Sequence, residues 1–237
     1  MTPDTESRFD LAPDVVLHQW EISPFCGKVR RILRMKGVAH RVENYNGLRA
    51  LKVARLSHAG TLPVLDWGTE RVADSSAIAA FLEQHQPTPR LYPAGARDAA
   101  LARTVEDWAD ESLYAYTIYF RVEYAQARAQ AIALLCAGRP AWERAIFATV
   151  YTRRLRRRVD ALGLTRRPGA EIEATFLRLV DDLDALLRGR EWLVGEARSI
   201  ADIAVAAQLD EMLRTSTLAE RIRHRPNVAR WLAQQAG

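Results

Sequence analysis

Apolar positions follow two successive rhythms along this chain, a short alternating one and then a long helical one. Val15, Val16 and Leu17 open a β-branched run, 15–20, that reads as a buried strand. Behind it Val29, Ile32 and Leu33, with the stem of Lys36, fall on one side of an amphipathic helix predicted over 26–36. Gly37 closes that helix in a left-handed conformation. The segment HRVENY predicts a second strand with Val42 pointing inward. After a loop with one helical turn, Val64–Leu65 and Arg71–Val72 read as short strands joined at Trp67-Gly68. A helix over Ser75–His85 then buries Ile78, Ala79, Phe81 and Leu82.

The segment QPTPRLYPAGARD, with three prolines and a glycine, interrupts this order and reads as a linker. From Asp98 onward the periodicity is helical only. It predicts one long helix over 99–137, further helices over 141–162, 171–188 and 199–213, and a short pair around Pro226. The pattern therefore predicts a tail over 1–13, a small α/β domain over 14–92 and an all-α domain over 98–237.

Composition narrows the function classes. The chain has 237 residues, 49% of them hydrophobic, and no run of the roughly 18 apolar residues that a membrane span needs. The acidic, polar N-terminus is not the pattern of a targeting peptide. Two widely separated cysteines, Cys26 and Cys136, argue against a disulfide framework, so a cytoplasmic location is expected. The net charge of +5 is carried almost wholly by arginine. Its densest run, YTRRLRRRVDALG, sets Tyr151, Leu155, Val159 and Leu162 on one helix face, which leaves the arginines as a solvated surface. No nucleic-acid motif accompanies them, and neither nucleic acid nor a membrane is expected as a partner. The histidines have no metal-ligand spacing, so no metal is expected.

Four short stretches carry candidate chemistry. In SPFC, Ser23 is a good N-cap and Pro24 suits the first helical position. The N–H groups of Phe25 and Cys26 then face outward at a positive helix end, where an anion can sit. In TLPVL, Pro63 at a strand mouth requires an edge, a bend or a cis bond. In ADSSAI, Asp74 and Ser75 precede a helix whose first N–H groups can hold a carboxylate. In SIADIAVAAQL, Ser199 and Asp202 form a capping box, with Arg198 where an aliphatic staple is usual and its stem covering Ile203. On these residues alone, simple caps and an ordinary edge proline explain the first three.

In this order and spacing, the four stretches resemble the glutathione transferase superfamily over nearly the whole chain. The resemblance implies a thioredoxin-like α/β N-terminal domain followed by an all-α helical-bundle domain, the glutathione transferase fold. It implies glutathione as co-substrate, a small electrophile as second substrate, a detoxification role and a homodimer. It reverses the reading of SPFC, making Ser23 the catalytic residue and Cys26 secondary. Ser23, Phe25, Leu62, Pro63, Asp74 and Ser75 are the implied glutathione-binding residues. In the family a cis bond before the proline exposes the backbone that pairs with the cysteinyl part, here that of Leu62. Ser75 would hold the γ-glutamyl carboxylate and Asp74 its amine. The family more often has Glu at the Asp74 position, and Thr61 stands where many members have a longer polar residue. Lys52, Arg55 and His58 are candidates for the glycine carboxylate. Aromatic residues after the linker would build the electrophile pocket, with Tyr116, Tyr119 and Phe120 as candidates, although such a stripe is equally explained as core. Two other functions fit the fold: a Cys26-dependent glutathione thiol–disulfide oxidoreductase, and a non-catalytic binding or scaffold protein.

Overall fold

The computed structural model describes residues 13–235. The tail expected over 1–13 therefore lies outside the described residues except for Pro13. Strand β1 (Val15–Gln19), helix α1 (Pro24–Met35) and strand β2 (Arg41–Asn44) are followed by a 3₁₀ segment, Gly47–Arg55. Strands β3 (Val64–Trp67) and β4 (Glu70–Ala73) form a hairpin, and α2 (Ser75–His85) completes the α/β domain. The sheet order is β2-β1-β3-β4, with β1 and β2 parallel and the other pairs antiparallel. Gly68 turns the hairpin at φ 59°, and Gly37 ends α1 at φ 66°, both in the left-handed region that glycine enters without a Cβ clash.

Val42 is 44% exposed, contrary to the inward placement its alternation predicts. It sits on β2, the edge strand of the sheet, and among the described residues no further strand pairs beyond it.

The helical domain holds α3 (Ala96–Trp108), α4 (Tyr114–Glu123), α5 (Ala125–Leu135), α6 (Ala141–Ala161) and α7 (Gly169–Leu186). Helices α8 (Ile200–Thr215), α9 (Ala219–Arg223) and α10 (Pro226–Gln235) follow. The single helix expected over 99–137 is thus three. A π turn, Ala109–Leu113, separates α3 from α4, and Tyr124 leaves the helical region at ψ 114° before α5. Among the described residues no helix is long and apolar enough to cross a membrane.

The two domains share one core. Leu17, Leu65, Val29, Ile32 and Ile78 of the α/β domain pack in the same buried cluster as Ile200 and Ile203 of α8. A second cluster, around Phe120, Phe176, Leu209 and Trp231, fills the helical bundle. Asp202 organises the start of α8. Its Oδ2 accepts from the Ser199 N–H at 3.0 Å, and its Oδ1 from the Leu193 N–H at 2.8 Å and from Trp231 Nε1 at 2.9 Å. Arg198 lays its guanidinium over the Trp192 ring, 5.5 Å from the centroid, and donates to the Gln234 carbonyl.

The polar side of α1 faces the helical domain rather than solvent. Lys28, 1% exposed, donates to Asp110 at 2.7 Å and to Ser76 Oγ at 3.0 Å, and pairs with Glu106 at 2.5 Å. Arg31 pairs with Asp210 of α8, and Arg30 approaches Glu211 at 3.9 Å. A buried charge stripped of its partner is costly, because two desolvated carboxylates are then left to repel each other. Lys28→Ala should therefore lower the unfolding free energy by about 3–5 kcal/mol in a urea titration. Arg178→Ala, which breaks the exposed pair with Asp182, should leave the midpoint essentially unchanged.

Candidate functional site

A cleft of about 790 Å³ opens between the two domains at the N-terminal end of α1. Its floor is the helix start that the sequence marks. Ser23 is the N-cap, with extended backbone (φ −82°, ψ 124°), and Pro24 occupies the first turn. Pro24 has no N–H to satisfy there. The Cys26 N–H donates to Ser23 Oγ at 3.4 Å, so of the two N–H groups expected to face an anion, that of Cys26 is already engaged. Ser23 is half-buried on the cleft wall.

Cys26 has a different environment. It is 0% exposed and packs with Tyr45, Val53, Leu62 and Val64. Burial pushes its thiol up from an ordinary 9.0 to about 11, against the hydrogen bond from Ser23 and the nearby Arg30 charge, which both pull it down. Desolvation thus outweighs the hydrogen bonds and the charge that favour the thiolate at this position. Cys136 is also buried, and neither cysteine is in a disulfide.

The second wall comes from the α/β domain. The Leu62–Pro63 peptide bond is cis, and both residues line the cleft. The loop before them is tied by Ser57, whose Oγ donates to the Thr61 carbonyl at 3.1 Å and accepts from its N–H at 3.2 Å. Asp74 is the one described non-glycine residue at positive φ (80°). Its Oδ1 caps α2, accepting from the N–H groups of Ser76 at 2.9 Å and Ala77 at 3.0 Å. The strained backbone and the cap together fix Ser75, 3% exposed, at the cleft margin. Ser76 Oγ then donates to Glu106 at 3.0 Å, linking this turn to the buried Lys28 cluster.

The far wall departs from the sequence expectation. Tyr116, Tyr119 and Phe120 do not line the cleft. Tyr119 and Phe120 are 5% and 1% exposed, and Tyr116 packs on Phe176 at 5.8 Å between ring centroids. Tyr119 and Phe120 belong to the bundle core and Tyr116 packs against it, whereas the side of these helices that meets the cleft carries Asp107, Asp110, Glu111, Tyr114 and Arg121. Tyr114 meets Phe25 edge-to-face at 4.7 Å, and Arg158 lies 4.9 Å over its ring. Arg154, Arg158 and Tyr151 of α6 also border the cleft, so part of the basic run lies at a site and not only in solvent. Leu162, expected on the buried face of α6, is 52% exposed beyond the helix end. The neighbours Arg154, Leu155 and Arg158 flank Tyr151 at helical spacing, which is the signal that could have placed them. Lys52, Arg55 and His58 are not among the residues lining the cleft. Among the described residues no group of His, Cys, Asp or Glu is arranged to hold a metal ion.

A cleft at a helix N-terminus, a cis proline opposite it and a capped acidic-Ser turn beside it occur together in this fold. Residues 17–90 match the family model described as Glutathione S-transferase, N-terminal domain, and residues 149–234 match Glutathione S-transferase, C-terminal domain. The chain belongs to the glutathione transferase superfamily. Solved structures agree with that fold. A glutathione S-transferase of Methylobacterium radiotolerans, in complex with glutathione sulfonate, is 27% identical with a TM-score of 0.61 and covers 93% of this chain and 89% of its own. A glutathione S-transferase of Methylobacillus flagellatus with glutathione bound is 23% identical with a TM-score of 0.60, covering 93% and 94%. The β-etherase LigF of Sphingobium sp. strain SYK-6 is 18% identical with a TM-score of 0.67, covering 93% of each.

The burial of Cys26 is open to experiment. At neutral pH a thiol held near 11 is only about 10⁻⁴ ionised, so native Cys26 should react with iodoacetamide at least ~10²-fold more slowly than after denaturation. Because its folded value is raised, the stability it contributes is full below pH 9.0 and is lost as pH rises toward about 11. The stability difference between the wild type and Cys26→Ala should therefore be constant below pH 9.0 and shrink above it, as read by chemical denaturation at several pH values.

Proposed function

We propose that this chain is a glutathione transferase that holds the glutathione thiol as a thiolate at the start of α1 and directs it at a small electrophile. The observation that carries this reading is the division of the helix start: Ser23 Oγ lies on the cleft wall, whereas Cys26 is sealed beneath it. In this reading Ser23 donates to the sulfur, and the outward N–H of Phe25 adds the helix-end field. The backbone of Leu62, beside Pro63, pairs with the cysteinyl unit. Ser75 takes the γ-glutamyl carboxylate. Asp74 takes the amine through Oδ2, since its Oδ1 is committed to the cap. The relatives that hold glutathione and glutathione sulfonate support the choice of ligand.

The energies are adequate. Lowering a thiol pKa by about two units requires ~2.7 kcal/mol of preferential thiolate stabilisation. One charge-assisted hydrogen bond supplies about 1.5–3 kcal/mol, and a helix N-terminus adds roughly 0.3–2 kcal/mol. The oxidoreductase alternative needs an accessible, acidic thiol, and the burial of Cys26 weighs against it. A cytoplasmic homodimer with a detoxifying role completes the reading. The exposed apolar stripe of Trp142, Ile146 and Val150 along one face of α6 supports the pairing.

With a chlorodinitrobenzene substrate, Ser23→Ala should reduce the conjugation rate by roughly 10²-fold, as expected for loss of one donor to an anion. Cys26→Ala should change that rate only a few-fold. The opposite ranking would move the chemistry to Cys26. Calorimetry should show Ser75→Ala weakening glutathione binding while the folded structure persists, because the cap of α2 is made by Asp74 and stays in place. Unchanged affinity would reduce this turn to a cap.

A further inference from the structure

The cleft is charged in opposite senses at its two ends. Near the start of α2 it is acidic, with Asp74 and with Asp110, which lies 3.5 Å from Ser76 Oγ. Toward α6 it is basic and aromatic. There Arg158 covers the Tyr114 ring, and burial pushes the Tyr114 phenol up while Arg158, Arg121 and Arg154 pull it down. All four residues line the cleft.

Their partners are few. The neighbouring Arg156 is neutralised by Glu123 at 2.8 Å, but among the described residues neither Arg154 nor Arg158 has a carboxylate partner. Arg121 is more telling. It is 5% exposed, lines the cleft and donates to the Ile22 carbonyl at 2.8 Å, one residue before Ser23. Its Nε is buried and bonded to nothing among the described residues. Its nearest counter-charge, Glu211 at 3.4 Å, is shared with Arg30 and Arg214. A buried donor without an acceptor is costly, and a ligand acceptor would relieve it.

We propose that the second substrate is an aromatic electrophile bearing a carboxylate. Its ring lies against Phe25 and Tyr114, and its carboxylate is held by Arg154 and Arg158, with Arg121 beneath. This rests on the transferase reading for the reaction but not for the binding. In the test reaction glutathione sulfur forms a C–S bond at the ring carbon that carries chlorine. Chloride leaves with the bonding electron pair, and the thiol proton goes to solvent.

The experiment compares two glutathione conjugates, of chlorodinitrobenzene and of its ring-carboxylate analogue chloronitrobenzoate, by calorimetry and by the rates at which they form. Both conjugates share the glutathione part, so the affinity ratio reports the exchange of one nitro group for a carboxylate. The wild type should bind the carboxylate conjugate roughly tenfold more tightly at low salt, the size of one charge-assisted contact. High salt should erode that preference. The exposed Arg154→Gln and Arg158→Gln changes, made together, should bring the ratio to about one. Equal affinities in the wild type, or a preference that survives both substitutions, would overturn the proposal. A preference without turnover would uphold this subsite and refute the transferase reading. Turnover without a preference would do the reverse.

Discussion

The arrangement of the cleft depends on how α1 is held, and α1 is held by charge across the domain seam. Lys28, Arg30 and Arg31 project from one helix onto Glu106, Asp110, Asp210 and Glu211 of the helical domain. Each buried ion costs several kcal/mol of desolvation, which its partner repays only in good geometry. Such a seam adds little net stability but penalises every other placement of α1. The seam also reaches the ligand side, because Ser76 bridges Lys28 to the turn that fixes Ser75.

With α1 fixed, two neighbouring groups on one helix start acquire opposite characters. Ser23 precedes the helix and faces the cleft, where the positive end of the helix acts on whatever lies above it. Cys26 lies one turn in and packs in an apolar cluster, where loss of water outweighs the hydrogen bonds and the Arg30 charge that favour its thiolate. A single helix thus buries a thiol of its own and offers its end to the thiol of another molecule. The sequence SPFC contains both outcomes, and only the packing around it separates them.

Much of this is legible before folding is considered. The order of strands and helices, the Ser23 cap, the Asp74 cap and the Asp202 box all follow from local rules that act over a few residues. What is not legible depends on contacts far apart in sequence. Periodicity marks only the apolar side of α1 and cannot see the carboxylates, distant along the chain, that meet Lys28, Arg30 and Arg31. It groups Tyr116, Tyr119 and Phe120 on one side but cannot tell which side meets the cleft, and that side carries Asp107, Asp110, Glu111, Tyr114 and Arg121. It also places Val42 inward, because alternation does not reveal that β2 is an edge.

The most direct test of the account is the ionisation of glutathione on the protein. Ultraviolet absorbance of the bound thiolate, followed against pH with the protein near saturation, gives the midpoint without any second substrate. The account predicts a midpoint about two units below that of the free thiol, near ~6.5. A midpoint that stays near ~8.5 with glutathione fully bound would contradict it, because the helix start would then hold the tripeptide without activating its sulfur.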